Sequence, residues 1–242
     1  MFHRSTDFFA SIRLILIIYC CSTRLASGLT MPSLLYRSLA FNSIRRLSPP
    51  SRLFGSKRGV PNNPLGTVAI YNDQDSLADI DQEALRQTIQ KISKIIGYET
   101  YDVTLLLVDD EEMEETNLES RGIEAPTDIL SFPFHFHETP GILKEPEFDI
   151  PDYYTLGDMM VDVPYVIRRC KEDEASSDSD DKERGVSGAM ANIFDPEKRI
   201  HMLLIHGMLH LVGYDHEEDD EYIEMVEKEE ELLKELGYLQ TK

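Results

Sequence analysis

Apolar residues along the chain follow two spacings, one typical of amphipathic helices and the other of buried strands. A period of about 3.6 residues predicts a helix between Asp81, which can cap its first turn, and Gly97, which can end it. The apolar positions of this helix are Leu85, Ile89, Ile92, Ile95 and Ile96. Residues 103–108 form an unbroken apolar run and predict a buried strand. Shorter runs predict further strands at 67–71, 129–136 and 154–161.

Four more helices follow from charge and apolar spacing. The acidic segment 109–120 is one, and Pro164 suits the first turn of the next. In 196–212, Leu204, Met208 and Leu211 lie along one stripe. The last helix, 217–236, begins with acidic residues, which are favoured at the positive end of a helix dipole. The pattern therefore predicts about four strands and about five helices.

Composition limits the classes of protein that fit this pattern. The chain has 242 residues and is 41% hydrophobic, which is enough for one domain with a sizeable core or two small ones and excludes wholesale disorder. No apolar run reaches the roughly 20 residues of a membrane-spanning helix, so we expect no membrane contact for the mature form. Three cysteines are too few for a disulfide framework or a cysteine-based zinc site.

Charge divides the chain into a basic leader and an acidic body. Residues 1–58 hold nine Lys or Arg and one acid, for a net charge of +8, and the remainder is at −29. The apolar run 14–21 is preceded by Arg4 and Arg13 and followed by small residues, as in a signal peptide. Residues 29–58 are rich in Ser and Arg without an acid, as in a transit peptide. We expect a bipartite targeting leader, removed on import into a plastid, with the mitochondrion as the alternative.

The body begins after a linker and contains an acidic segment. Residues 59–65 are rich in Pro, Asn and Gly and are interpreted as the linker. The folded domain is expected at 66–240. Within it, 172–188 includes the low-complexity stretch EDEASSDSDD, which we interpret as a disordered surface insertion. An interaction tail is the alternative.

The motif that indicates chemistry is a histidine cluster near the end of the chain. His206 and His210 are four residues apart and project from one helix face. Gly213 allows a sharp turn, after which His216 can fold back as a third ligand. Three imidazoles with a fourth position for water are typical of a catalytic metal site. For His135, His137 and His201, surface or structural roles are expected.

The histidine spacing matches that of the metzincin proteases, but the catalytic residue of those enzymes is missing. Gly207 stands where the protease has the glutamate that takes a proton from zinc-bound water. This difference argues against a peptidase. A phosphodiester carries its own anionic oxygens, which a metal and an arginine can stabilise during phosphoryl transfer. Arg121, Arg168 and Arg169 are candidates for that arginine.

Three sequence blocks, in order, resemble the YbeY family of metal-dependent endoribonucleases. The first contains Asn117 and Arg121 followed by the sequence PTDILSFP at 126–133, the second is LGD at 156–158, and the third is HGMLHLVGYDH at 206–216. The resemblance covers roughly residues 66–240. Ser120 departs from the aromatic residue usual in the family, and the loop 138–154 and the segment 172–188 look like insertions.

This resemblance implies a fold, an activity and a set of site residues. The fold is α+β, with a zincin-like metal helix packed on a small mixed β-sheet. The activity is zinc-dependent, single-strand-specific cleavage of RNA in ribosomal RNA maturation and ribosome quality control. One Zn²⁺ per chain is held by His206, His210 and His216, and Arg121 contacts the RNA phosphate. The expected partners are ribosomal RNA and the small ribosomal subunit or its proteins.

Several points stay open at the level of sequence. Asp215 can orient an imidazole or hold a turn. A metallopeptidase or amidohydrolase on the same histidines, and a noncatalytic ribosome-assembly factor with a structural metal, are the alternative functions. An acidic body is a poor RNA binder. A local basic cleft of arginines and lysines, or a ribosomal partner that presents the RNA, would compensate; the candidates for the cleft are Arg121, Arg168, Arg169, Lys198 and Arg199.

Overall fold

A computed structural model of the chain describes residues 65–77, 79–144, 150, 153–175 and 184–239. The predicted leader 1–58, nearly all of the linker 59–65 and residues 176–183 of the acidic segment lie outside the described residues. None of the described helices is both long and apolar enough to cross a bilayer.

Four strands form one mixed sheet, as predicted. They are β1 (Val68–Asn72), β2 (Asp102–Val108), β3 (Ile129–Pro133) and β4 (Thr155–Asp162). Their order in the sheet is β1-β2-β4-β3, in which β1 and β4 run parallel to β2 and β3 runs antiparallel to β4. The α+β class with a small mixed sheet is thereby confirmed.

The described residues contain six helices, one more than the sequence pattern predicted. They are α1 (Gln82–Ile95), α2 (Asp110–Arg121), α3 (Val163–Ala175), α4 (Gly185–Met190), α5 (Pro196–Leu211) and α6 (Asp219–Glu235). The additional helix is α4. Helix α3 extends to Ala175 and α4 begins at Gly185, so both ends of the segment 172–188 are helical. The interpretation of this segment as disordered was therefore wrong for residues 172–175 and 185–188.

Side-chain caps account for where the main helices begin. Asp81 accepts a hydrogen bond from the backbone N–H of Ala84, at 2.9 Å, and so caps α1 as predicted. Asp195 accepts from the first turn of α5 in the same way. Glu218 and Glu221 form a reciprocal capping box at the start of α6.

Helix α5 is the central helix of the larger unit. It contacts β3 and β4 on the sheet and α1, α3, α4 and α6 around it. Ten of its 16 residues are buried, so its apolar residues are not confined to one stripe. This enclosure fixes the helix that carries the first two histidines of the motif.

The LGD block lies at a bulge in β4. Thr155 pairs with Asp102 and Gly157 pairs with Val103, which leaves Leu156 as the extra residue. Gly157 has φ +142°, and a Cβ there would lie 2.1 Å from the carbonyl oxygen of Phe132. Glycine is therefore required where β3 and β4 approach each other.

Backbone contacts divide the chain into two units. The larger contains the sheet and helices α1, α3, α4, α5 and α6. The described part of the smaller unit is Glu114–Ala125, which holds most of α2 and the loop after it. Within this part, the side-chain amide of Asn117 donates to the carbonyl of Ala125 at 2.7 Å and closes the loop.

Candidate metal centre

The structure brings the three predicted metal ligands together. One nitrogen from each of His206, His210 and His216 lies within 4.8 Å of the other two. The Nε2 atoms of His206 and His210 are 3.1 Å apart, and the ring of His216 stacks on that of His206 with centroids 5.4 Å apart. The spacing of the motif therefore produces one converging cluster.

The turn after α5 depends on Gly213. This residue has φ +89°, and its N–H donates to the carbonyl of His210 at 3.0 Å as the helix ends. A Cβ at this position would lie 2.4 Å from atoms of His137, which packs against it. Gly213 thus permits both the reversal that returns His216 and the close packing of His137.

Hydrogen bonds at the Nδ1 atoms fix the tautomers of two ligands. Nδ1 of His210 lies 2.9 Å from the carbonyl oxygen of Tyr214, and Nδ1 of His206 lies 2.7 Å from a carboxylate oxygen of Glu229. A carbonyl or carboxylate oxygen only accepts, so we assign the proton to Nδ1 in both rings, which leaves a lone pair on each Nε2 in the neutral rings.

This arrangement fits a transition-metal ion. Two lone pairs 3.1 Å apart repel each other unless a cation lies between them. Two nitrogens bound tetrahedrally to zinc at about 2.0–2.1 Å are roughly 3.3 Å apart, close to the spacing seen here. His206, His210 and His216 are therefore the residues that would hold the metal.

Glu229 contacts the histidine cluster, although none of the sequence patterns above singled it out. It comes from α6, is only 4% exposed, and contacts His206 through one oxygen. Its other oxygen accepts the backbone N–H of Val186 in α4 at 2.9 Å. Gly185, with φ +66°, makes room for it, since a Cβ there would lie 2.1 Å from the same oxygen. The available signal was its place among the apolar positions of α6, beside Leu232 and Leu233.

A cleft of about 170 Å³ opens at the cluster. His206 and His216 line it together with Ser187 of α4, residues of α6, and Arg184, which immediately precedes α4. His216 and Tyr222 are exposed, so solvent and a substrate can reach the histidines. Among the described residues that line this cleft, the positively charged one is Arg184, which the sequence patterns did not single out.

Gly207 faces the sheet at close range. A Cβ at this position would lie 2.7 Å from Cδ1 of Ile129 and 2.8 Å from Sδ of Met159. The position that carries the catalytic glutamate in metzincins therefore has no room for a side chain here. This packing strengthens the argument against a protease mechanism.

The two predicted catalytic residues, Asp215 and Arg121, have different surroundings in the structure. Asp215 is exposed and accepts the backbone N–H of His216 at 2.8 Å, which is a turn contact. Glu229 contacts the imidazole of His206, whereas a catalytic role for Asp215 stays a prediction. Arg121 is the exposed last residue of α2 and belongs to the smaller unit, so its role also stays a prediction.

The other basic residues considered for a cleft are engaged in ion pairs. Arg168 pairs with Asp110 at 2.6 Å, and Arg169 pairs with Glu172 at 3.1 Å. Lys198 pairs with Asp195. Arg199 pairs with Asp173 and donates to the backbone carbonyls of Met190 and Ile193. Arg199 is 5% exposed, so its role is structural.

The remaining histidines of the body have structural surroundings, as expected. Nε2 of His137 lies 3.0 Å from the carbonyl oxygen of Leu211, and Nδ1 of His201 lies 2.8 Å from the hydroxyl of Thr88. His135 packs edge-on against aromatic rings. Burial lowers the pKa of all three imidazoles, which favours their neutral form.

A family model and related proteins of other organisms identify one family. The family model described as Endoribonuclease YbeY matches residues 69–237. Endoribonuclease YbeY of Homo sapiens is 32% identical over 158 residues, covering 65% of this chain and 81% of the relative. That of Thermoanaerobacter sp. (strain X514) is 32% identical over 175 residues, covering 70% and 97%. A Thermotoga maritima protein with a solution structure is 22% identical, covers 73% of this chain and 97% of its own, and has a TM-score of 0.39.

Proposed function

The chain belongs to the YbeY endoribonuclease family, and we propose that it is a zinc-dependent endoribonuclease that cuts single-stranded RNA during ribosomal RNA maturation and ribosome quality control in an organelle. The observation that carries this proposal is the convergence of three imidazoles in a cleft that solvent reaches. The centre suits hydrolysis, in which water adds across a phosphorus–oxygen bond of the RNA backbone.

The site residues have two roles in the proposed reaction, holding the metal and orienting its ligands. His206, His210 and His216 would hold the metal, which when bound would lower the pKa of a water molecule toward neutrality and polarise a phosphate oxygen. Glu229 and the carbonyl of Tyr214 keep two of the rings oriented with Nε2 toward the centre.

Arg121 is proposed to contact the RNA phosphate and to stabilise the negative charge that develops on it. Loss of one such donor typically reduces kcat about 100-fold or more. Arg121→Ala should therefore lose most of its activity, while Arg169→Ala, which removes an exposed arginine from a surface ion pair, should keep it. Cleavage by Arg121→Ala at the wild-type rate would remove this assignment.

Asp215 is proposed as a helper of the third ligand, since it lies next to His216 in the chain. Its contact with the backbone N–H of His216 fixes the turn that presents the imidazole. Asp215→Asn keeps an accepting oxygen, so it should retain activity if the turn is what matters. A large loss of activity would support a direct catalytic role instead.

The central test compares the leader-free wild type with His210→Ala on organellar ribosomal RNA. Cleavage should disappear in the variant, while circular dichroism and thermal unfolding show that it remains folded. His201→Gln is the matched control, because it changes a histidine of the same helix that binds Thr88 instead. Global unfolding of His210→Ala would favour the alternative of a noncatalytic assembly factor with a structural metal.

A ribosomal partner is proposed because of the charge of the body. Without residues 1–58 the chain carries a net charge of −29, which repels the phosphates of free RNA. Binding to the small ribosomal subunit or its proteins would present the RNA to the cleft. Cleavage should then be faster on ribosomal particles than on naked RNA at the same salt concentration, and equal turnover on both would exclude this role for a partner.

Plastid import is proposed from the composition of residues 1–58. Fusion of these residues to a fluorescent protein should direct it to the plastid of an algal cell. Accumulation in mitochondria would support the alternative destination, and secretion would exclude both.

A further inference from the structure

Two exposed side chains line the cleft beside the histidines without a role in holding the metal. They are Arg184, which immediately precedes α4, and Tyr222, in the first turns of α6. We propose that they form a nucleotide-binding subsite, in which the Tyr222 ring stacks on an unpaired base of the RNA and Arg184 contacts an adjacent phosphate. This inference deepens the proposed endoribonuclease function and rests on it.

Tyr222 has the surroundings of a stacking platform. Its side chain is 47% exposed, although it lies beside the histidine cluster. Met225 and Val226, one turn further along α6, line the same cleft and are buried, so they form an apolar floor next to the ring. Proteins that bind single-stranded RNA commonly stack bases on aromatic rings of this kind.

Arg184 is positioned by the same residues that orient His206. Val186, two residues later, donates its N–H to Glu229, whose other oxygen contacts His206. The backbone that carries Arg184 is thereby connected to the histidine cluster. The guanidinium contacts Glu230 through Nε at 3.0 Å and has four further N–H donors on its two Nη atoms. A phosphate at this place would compete with the Glu230 carboxylate.

The geometry links the subsite to strand selectivity. A base in a duplex is already stacked and paired, so the Tyr222 ring can receive only a base that is unpaired. The subsite would therefore favour single-stranded RNA at the point next to the metal.

The test of Tyr222 measures KM, kcat and binding with a short fluorescent single-stranded RNA and the zinc-loaded protein. Tyr222→Ala should raise KM and the dissociation constant about tenfold, while Tyr222→Phe, which keeps the ring, restores both. Ile223→Ala is the matched control, since it removes an exposed apolar neighbour on the same helix that is not among the cleft-lining residues. For a duplex of the same sequence, Tyr222→Ala should leave the dissociation constant unchanged.

The test of Arg184 uses its ion pair. Glu230→Gln releases the guanidinium and should lower the dissociation constant about threefold, whereas Glu227→Gln removes the same formal charge from the same helix and should lower it less. In an Arg184→Ala background, Glu230→Gln should have no greater effect than Glu227→Gln. That dependence separates a contact with phosphate from a general reduction of negative charge.

The outcomes distinguish the subsite from the enzyme assignment. If the wild type cleaves RNA and the Tyr222 and Arg184 variants keep wild-type KM and affinity, the subsite is excluded and the function stands. If the wild type binds the RNA in a way that needs both residues but does not cleave it, the subsite stands and the function fails. Absence of both binding and cleavage excludes both.

Discussion

A carboxylate oxygen of Glu229 lies 2.7 Å from Nδ1 of His206, although the two residues are 23 positions apart and belong to different helices. Through this contact, Glu229 of α6 orients the His206 imidazole of the histidine cluster. Because the second oxygen of Glu229 accepts the N–H of Val186, the same side chain also anchors α4. One buried carboxylate thus joins three helices at the cleft.

Replacement of Glu229 by glutamine should weaken metal binding. The amide group can offer its oxygen either to Nδ1–H of His206 or to the N–H of Val186, so one of the two donors loses its acceptor. Loss of such an outer contact typically reduces metal affinity by about 10–100-fold. Competition for zinc with a chromophoric chelator measures this. Glu227→Gln, an exposed change on the same helix, should bind zinc like the wild type, and equal affinity in Glu229→Gln would contradict the role of the carboxylate.

Gly207 should not tolerate enlargement, even by one methyl group. Alanine favours a helix by about 1 kcal/mol over glycine, but its Cβ would meet Ile129 and Met159 at less than 3 Å. We expect Gly207→Ala to lower the free energy of unfolding by about 1–2 kcal/mol, as overpacked cores do. Chemical denaturation measures the change. Adding Ile129→Val to Gly207→Ala removes the Cδ1 atom that the new Cβ would meet and should recover part of the lost stability. A Gly207→Ala protein more stable than the wild type would refute the packing argument.

Elements with strong local signals could be predicted from the sequence. The periodic apolar residues before Gly97 and the unbroken run in β2 each specify a structure without help from distant residues. The convergence of His206, His210 and His216 could also be predicted, because helix spacing and one glycine turn bring these residues together locally.

The rest of the site depends on packing between distant segments. Glu229 lies in a helix rich in acids, and although its place on the apolar face of that helix indicates burial, its contact with His206 of α5 depends on how the two helices pack. Helix α4 has six residues with two glycines, so neither length nor propensity predicts it, and the position of Arg184 follows from it. The steric reason for Gly207 likewise required the positions of β3 and β4.

Zinc should stabilise the folded protein through the histidine cluster. A ligand at 100 times its dissociation constant adds about 2.7 kcal/mol, which corresponds to a rise in Tm of roughly 5–10 °C for a domain of this size. His210→Ala should lose most of this rise in a thermal unfolding experiment with added zinc. Magnesium is the matched control, since it prefers oxygen ligands and should not distinguish the two proteins. The same rise in both would place the zinc elsewhere in the acidic body.

Asp162 should make the stability of the protein depend on pH. It is fully buried at the end of β4, where one oxygen accepts the N–H of Tyr165. Burial and the neighbouring carboxylate of Asp110 raise the pKa of Asp162 to about 7, although that hydrogen bond and the charge of Arg168 act in the opposite direction. Arg168 also holds the pKa of Asp110 below its usual value of 3.8, so Asp110 stays ionised above pH 5.

The sign follows from the protons bound in each state. Between its ordinary pKa of 3.8 and about 7, Asp162 keeps a proton in the folded protein that the unfolded chain releases. Its contribution to stability therefore falls as pH rises through this window, by at most about 1.4 kcal/mol per pH unit. Asp162→Asn keeps an oxygen for the N–H of Tyr165 and cannot titrate. Chemical denaturation at pH 5 to 8 should show the variant gaining stability relative to wild type as pH rises, whereas Asp79→Asn, an exposed change, should follow the wild-type curve. Parallel curves for wild type and Asp162→Asn would show that this carboxyl group is already ionised in the folded protein at pH 5.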